Sequence, residues 1–206
     1  MGRAHQQAEA RQGESRRRLA HEAARWMAES GIRDYQQAKR KAASRLGIHD
    51  EATLPRNQEI EDALREYQRI FLGPAQADAV RLRREAAVRA MEFLAGFQPR
   101  LAGPVLDGTA DTRSPVSLHL HPEDPDSVPR FLEEHGIPAE PRGRRVRLDR
   151  SRELDTTTWT FEAEDLAFEL TVLPPVALRQ APLSPLDERP MARASLAQLR
   201  SLLATG

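Results

Sequence analysis

The chain has 206 residues, of which 31 are basic and 31 acidic, so its formal net charge is zero, and it contains no cysteine. This length can bury the core of one larger domain or of two small ones. The absence of cysteine excludes disulfides, thiolate catalysis and zinc sites that depend on sulfur.

The N-terminal part of the chain is expected to be a helical domain over residues 16–74, preceded by a disordered polar tail over residues 1–15. Apolar residues there recur at helical spacing. Asp34 and Gln37 predict a capping box at the start of the second helix, and Asn57 predicts the cap of the third. A fourth helix, from about residue 76 to 97, carries Arg84 on a wetter face. The large apolar residues of these stripes are interpreted as core: Trp26, Tyr35, Tyr67 and Met91.

A basic cluster lies in the second helix, at Lys39, Arg40 and Lys41. Phosphate binding needs several cations on one surface, which a short helix can present, so these residues are the candidates for nucleic-acid binding. The alternative is a solvated helix face, because no aromatic residue lies beside the cations to stack on a base. The basic stretch at 142–150 has the same two readings, since its alternation with apolar residues fits a half-exposed strand.

The second half of the chain, residues 75–206, is expected to be an α+β domain with a mixed β-sheet flanked by helices. Short apolar runs predict strands at 100–106, 115–121, 144–148, 157–161 and 166–173. A turn is expected at 107–109, a capped helix follows residue 126, and a short helix ends the chain. The fold class is therefore α+β, with an N-terminal helical region.

The stretches GPVLDGTADTRSPVSL, at 103–118, and FEL, at 168–170, resemble the nucleotidyltransferase superfamily, which includes polymerase-β-like and minimal nucleotidyltransferases. The motif of that superfamily is a strand ending in Gly-Ser or Gly-Gly, then about ten residues, then Asp-hydrophobic-Asp on the next strand, and a third carboxylate on a later strand. The resemblance covers roughly residues 88–175. The whole chain also looks like bacterial proteins of this arrangement.

The resemblance implies an active site whose acid pair is missing. Pro115 and Ser117 occupy the positions of the two acids, and Glu169 matches the third carboxylate. Two magnesium ions need several carboxylates on one face of the sheet, and neither proline nor a neutral hydroxyl replaces them. We therefore expect a pseudoenzyme without cofactor, that is, a non-catalytic binding or scaffold module. The candidate ligand-binding residues are Gly103, Gly108, Thr109, Ser117, His119 and Glu169.

An enzyme with a rebuilt site is the alternative. His119 and His121 alternate along the second strand and, with Glu169, offer imidazole and carboxylate ligands for a transition metal. Under this alternative Asp107 and Asp111 are further candidates, acting from the turn, and Mg²⁺ is a cofactor only under this alternative. The expected partner is an unknown protein or a nucleotide. No apolar run approaches the roughly 20 residues that span a bilayer, so we expect a cytoplasmic protein.

Overall fold

The computed structural model describes residues 2–48, 50–71, 73–149, 151–185 and 187–205. The chain divides into two compact units. The first comprises residues 1–73 with 185–187, and the second comprises residues 74–184 with 188–206.

The first unit is helical. It contains α1 (Gly2–Ser30), α2 (Tyr35–Leu46), a 3₁₀ turn (Glu51–Thr53) and α3 (Asn57–Phe71). The core of this unit is built mainly from small side chains of α1 and α2 together with leucine and isoleucine, so the helices pack closely. Helix α1 extends through the segment for which a disordered tail was expected. The reason is the composition of that segment, which is rich in alanine, glutamine, glutamate and arginine and contains no proline.

The N-termini of α2 and α3 test the two helix caps predicted from the sequence. The cap at Asp34 is confirmed, because its carboxylate accepts a hydrogen bond of 2.8 Å from the Gln37 amide. The cap at Asn57 is wrong: the carbonyl of Arg56 accepts the first hydrogen bond of α3, from Ile60, so the cap position is one residue earlier. There Glu59 accepts from the Arg56 amide at 2.7 Å. A carboxylate in the first turn satisfies that amide and suits the positive end of the helix dipole.

The second unit has the expected mixed sheet flanked by helices, and the α+β class is confirmed. Its helices are α4 (Gly73–Phe93), the four-residue α5 (Pro104–Asp107), α6 (Ser127–Glu134) and α7 (Leu196–Thr205). Its strands are β1 (Arg100–Ala102), β2 (Val116–Leu120), β3 (Glu140–Arg147), β4 (Glu153–Ala163), β5 (Leu166–Val172) and β6 (Arg193–Ala194). The strand order is β3-β4-β5-β2-β1-β6. Strands β2 and β5 pair in parallel, whereas their other neighbours are antiparallel.

The two faces of this sheet differ in chemistry. Successive residues of a strand point to opposite faces, and the apolar set of each strand forms one continuous core with the helices of the unit. Leu118 of β2 and Leu170 of β5 are fully buried in it, beside Met91 of α4 and Leu132 of α6. The alternate residues of the same strands form the other face, which is mainly polar. At one end of it, Val146 and Leu154 pack in a small apolar cluster with Leu148, Leu173 and Ala177.

The first strand is shorter than expected. It ends at Ala102, because Gly103 has φ 71° and ψ −157°, a conformation essentially confined to glycine, and Pro104 then begins α5. Proline is favoured in the first turn of a helix, where its missing amide has no intrahelical partner in any case. The expected strand over 100–106 is therefore a three-residue strand followed by a single helical turn.

Candidate functional site

The candidate site is the face of the sheet opposite the core, here called the polar face. Cross-strand partners share a face, so its members follow from the strand register. One row runs across five strands, from Arg100 through His119, Thr171 and Thr158 to Arg142. The full set of polar strand residues on this face is Arg100, Ser117, His119, Glu140, Arg142, Arg144, Thr156, Thr158, Thr160, Glu162, Glu169, Thr171 and Arg193.

Three of the candidate residues meet at one end of the parallel strand pair. Ser117 lies opposite Glu169 in the register of β2 and β5, and its hydroxyl donates to the Glu169 carboxylate at 3.3 Å. A Cβ atom placed on Gly103 would lie 4.0 Å from that of Ser117. Both Ser117 and Glu169 are half-buried, so solvent reaches them.

The acid position before the strand is closed to ligands, because Pro115 is buried. Glu169 is therefore the single carboxylate among the three positions at which the resemblance expects acids. A pair of hard cations needs several carboxylate oxygens with suitable geometry. The residues present do not fit the two-magnesium site of the superfamily.

Gly108 and Thr109 are not arranged to cradle a phosphate. Their amides are hydrogen-bonded within helix α5. The amides of Gly108 and Thr109 both donate to the Pro104 carbonyl, and the Asp107 amide donates to the Gly103 carbonyl. Gly108 ends the helix in the left-handed conformation, which favours glycine. Thr109 is 8% exposed. The expected open glycine loop is therefore a closed helical turn with no free amides at these positions.

Two arginines of α4 hold this segment against the sheet. The Arg83 side chain is 4% exposed and donates to the carbonyls of Thr112 and Ser114 at 2.5 and 2.7 Å. Arg84 donates to the carbonyls of Val105 and Leu106, both at 3.0 Å. The sequence predicts that Arg84 faces solvent, whereas its guanidinium contacts the C-terminal carbonyls of α5. Helical periodicity alone does not reveal arginines whose partners are backbone carbonyls.

The aspartates of the turn have local roles. Asp111 accepts hydrogen bonds from the Arg113 amide at 2.8 Å and from the Ser114 hydroxyl at 3.0 Å, as in an Asx turn. Asp107 is exposed at the end of α5. Neither residue belongs to the polar face.

His121 is a structural residue. Its Nδ1 lies 3.0 Å from the Gln98 carbonyl, and its Nε2 lies 3.1 Å from a guanidinium nitrogen of Arg193. A guanidinium only donates, so Nε2 must accept and Nδ1 must carry the proton. Burial, followed by the charge of Arg193, lowers the pKa of His121 to about 4. Both ring nitrogens are engaged, so His121 offers no atom to a metal in this arrangement.

His119 is in a different situation. Its side chain is 5% exposed, and its Nδ1 is buried with no hydrogen-bond partner. Burial, followed by the charges of Arg193 and Arg144, lowers the pKa of His119 to about 3. The imidazole is therefore neutral at pH 7, with one nitrogen able to donate and the other able to accept. Over the described ranges, no three histidine, aspartate or glutamate side chains come together as metal ligands.

The basic cluster of α2 does not form one exposed patch. Lys39 is 8% exposed and lies on the inner side of the helix with Ala38 and Ala42. Burial lowers its pKa, and Glu59 partly opposes that shift. Lys41 lies over the ring of Trp26, with its Nζ 4.7 Å from the ring centroid. Arg40 is exposed. The three cations of the predicted nucleic-acid site therefore occupy three different environments.

The comparisons with known proteins add no assignment: no protein-family model matches the chain, and no curated protein is similar to it. Among the helices that the structure describes, none combines the length and apolar character needed to cross a bilayer. The function is argued below from the polar face itself.

Proposed function

We propose that this protein is a nucleotidyltransferase-like module that binds a ligand without catalysing transfer, and that the ligand lies on the polar face over Ser117 and Glu169. The observation that carries the proposal is the hydrogen bond between these two side chains, at the position where the resemblance expects opposed carboxylates. A nucleotide is the ligand that the resemblance suggests. The fold resemblance alone does not carry a function, so the argument rests on the site.

Loss of catalysis follows from the chemistry of the pair. In metal-dependent phosphoryl transfer the cations neutralise developing charge and orient the attacking oxygen, so nearly all the catalysis depends on their being held. Ser117 supplies a neutral hydroxyl, and Glu169 already accepts a hydrogen bond from it. One carboxylate in this setting does not hold two divalent ions.

Retained binding is supported by the surroundings of the pair. A polar sheet face with half-buried hydroxyl and carboxylate groups presents donors and acceptors on rigid strands, which is the preferred support for a binding site. Gly103 places no side chain beside Ser117, where an added Cβ would lie 4.0 Å from the serine Cβ. The backbone can therefore approach a ligand closely at this point.

The test is calorimetric titration of the purified chain with ATP and GTP, with and without Mg²⁺ or Mn²⁺. We expect binding to wild type and its loss in Ser117→Arg, which fills the space above the serine. Ser201→Arg, on the exposed side of α7, adds the same charge away from the face and should bind as wild type does. Absence of any nucleotide binding would overturn the binding function.

The non-catalytic part of the proposal is tested separately, by following ATP with Mg²⁺ or Mn²⁺ over hours by ³¹P NMR. We expect no release of pyrophosphate and no transfer product. Metal-dependent release that disappears in Glu169→Ala would identify an active enzyme with a rebuilt site and would overturn the proposal.

A further inference from the structure

Strand β3 is an open edge of the sheet. It stands first in the strand order and pairs with β4 alone. Its residues from Glu140 to Arg145, here called the β3 edge, are all exposed, so no described helix or loop covers this part of the strand. An uncovered edge strand presents backbone amides and carbonyls that can pair with another strand. The β3 edge is therefore a surface that can receive an extended chain.

The backbone groups that face outwards include those of Gly143 and Arg145. The Leu148 amide donates to the Arg152 carbonyl at 2.9 Å, which places the hydrogen-bonded pairs of β3 and β4 at the even-numbered residues of β3. In an antiparallel ladder the residues between these pairs point their amides and carbonyls away from the partner strand. Over the described part of the chain, no hydrogen bond reaches the backbone amide or carbonyl of Gly143 or of Arg145. These groups are available to an added strand.

Two arginines flank these backbone groups on the polar face. Arg142 and Arg144 are exposed, and within the described residues neither forms an ion pair, even though Glu140 lies on the same face. On the opposite face, Arg145 pairs with Asp155 at 2.8 Å. Because the even-numbered residues bond to β4, they form non-hydrogen-bonded pairs with a strand added outside, and in such pairs the facing side chains come closest. An added strand therefore brings its own side chains directly against these two cations.

We propose that the β3 edge binds an acidic segment of another protein, which extends the sheet by one strand. Backbone hydrogen bonds to Gly143 and Arg145 give affinity, and carboxylates at alternate positions of the segment pair with Arg142 and Arg144. A Cβ placed on Gly143 meets no atom within 4 Å, so a branched apolar residue of the partner fits opposite it. The β3 edge is separated by β4 from β5, so the proposal concerns a different surface from the nucleotide site.

A second copy of the chain fits this edge less well than an acidic segment does. An antiparallel copy centred on Arg144 opposes this arginine with itself, and one centred on Gly143 opposes Arg142 with Arg144. Like charges directly opposite one another destabilise a strand pair. The next register towards the end of the strand needs the outer carbonyl of Arg147, which accepts from the Leu183 amide at 2.6 Å. Charge complementarity therefore favours an acidic partner.

The probe is a synthetic peptide, Ac-TVEVEVT-NH₂, whose central valine faces Gly143 in an antiparallel register and whose glutamates face Arg142 and Arg144. Calorimetric titration of the full chain should show binding at peptide concentrations below about 1 mM. Hydrogen exchange followed by NMR should show the amides of Gly143 and Arg145 protected at least tenfold in the complex, while the Arg144 amide, already bonded to β4, changes little. Absence of binding, or binding without protection of these two amides, would overturn the proposal.

Two control peptides separate strand addition from attraction between charges. N-methylation of the central valine removes the amide that faces the Gly143 carbonyl and keeps both carboxylates, and it should weaken binding at least tenfold. Ac-TVKVKVT-NH₂ keeps the backbone donors and reverses the charges, and it should also bind at least tenfold more weakly than the acidic peptide. Affinity equal to that of the acidic peptide, for either control, contradicts the proposal, because one of its two recognition elements is then not used.

Variants of the protein test the same two elements. Gly143→Pro removes the outward amide, and proline is tolerated on an edge strand where the missing amide faces solvent, so the variant should fold and lose binding. Arg142→Gln/Arg144→Gln should weaken binding at least tenfold. Arg17→Gln/Arg18→Gln, at two exposed positions of α1, makes the same change of two charges and should bind within twofold of wild type. Circular dichroism checks folding, and equal weakening by the two double variants would show that only net charge matters.

Other occupants of the edge are distinguished by two further measurements, and either would replace the proposal. If the chain alone sediments as a dimer that Gly143→Pro converts to a monomer, the edge pairs with a second copy. If single-stranded DNA binds more tightly than the acidic peptide and loses affinity in Arg142→Gln/Arg144→Gln, the surface is a nucleic-acid site. Ser117→Arg, which tests the nucleotide site, should leave peptide binding unchanged, so this proposal and the proposed function stand or fail separately.

Discussion

Ser117 and Glu169 face each other across the only parallel strand pair in the described sheet, and the serine hydroxyl donates to the carboxylate at 3.3 Å. A neutral donor and a single acceptor form a stable pair without any cation. Two carboxylates at this separation would repel one another unless a proton or a metal lay between them. Replacing Ser117 by an acidic residue should therefore make the stability of this position depend on a bound metal ion.

The substitution Ser117→Asp should destabilise the protein at pH 7.5 by about 1–2 kcal/mol, because it opposes two carboxylates on adjacent strands. Its deficit relative to wild type at the same pH should shrink at pH 5, because a proton taken up by the carboxyl pair relieves the repulsion, and it should also shrink on addition of Mn²⁺. Thermal unfolding at the two pH values, with and without MnCl₂, measures both effects. Ser117→Asn has nearly the same shape without the charge and should respond to neither. A wild-type protein that Mn²⁺ stabilises as strongly as Ser117→Asp would contradict this prediction.

Gly103 is expected to be the least replaceable glycine near the site. Its φ of 71° with ψ −157° is a region that residues with a side chain rarely occupy, although nothing lies closer than 4.0 Å to an added Cβ. The cost of Gly103→Ala is therefore backbone strain, and we expect a loss of about 1–3 kcal/mol in the free energy of unfolding. Gly143→Ala, at an open position of β3 with ordinary φ, is the control and should change it by less than about 0.5 kcal/mol. Urea titration compares them, and equal losses would refute the strain argument.

Much of the fold could be predicted from the sequence because its signals are local. The carboxylate of Asp34 caps its helix, and Gly47 ends the same helix in the left-handed conformation. The hairpin turn after β4 uses Glu164 and Asp165 with positive φ, which polar residues tolerate. The prediction of a strand over 100–106 is wrong beyond Ala102. Val105 and Leu106 suit a strand and a single helical turn equally well, and only the conformation of Gly103 decides between the two.

Much less of the candidate site could be predicted, because strand register creates it. The sequence pattern put Ser117 and His119 on one face, but it contained no sign that Arg100 and Arg142 would lie in the same row. The sequence predicts His121 as a possible metal ligand, but both of its ring nitrogens are hydrogen-bonded, one to the Gln98 carbonyl and the other to Arg193, more than seventy residues later in the chain. Contacts of this kind depend on pairing between distant segments, which periodicity does not encode.

Arg83 is expected to be essential for the segment that leads into β2. Its side chain is 4% exposed and donates to the carbonyls of Thr112 and Ser114. Arg83→Met keeps much of the volume and removes the donors, so the carbonyls of the segment lose their partners inside the fold, and we expect destabilisation of about 2–4 kcal/mol. Arg81→Met on the same helix, where the side chain is 68% exposed, should cost less than about 0.5 kcal/mol. Chemical unfolding followed by circular dichroism measures both variants, and similar stabilities for the two would show that the buried contacts of Arg83 carry little weight.

The buried histidines should make stability fall in mild acid. Burial and the nearby arginines lower the pKa of His119 to about 3 and that of His121 to about 4, whereas an unfolded histidine titrates near 6.5. Between these values the unfolded state binds more protons than the folded state, so the contribution of each histidine is complete above pH 6.5 and is lost as the pH falls. We expect up to about 2 kcal/mol to be lost per histidine between pH 7 and pH 4.5.

Urea unfolding of wild type and of His119→Gln at both pH values isolates the contribution of His119. The variant should lose less stability than wild type on acidification, by about 2 kcal/mol. The control is His135→Gln, at an exposed position, and its free energy of unfolding should fall between the two pH values as much as that of wild type. Identical pH dependence in all three proteins would show that His119 is already solvated and that the polar face is open around it.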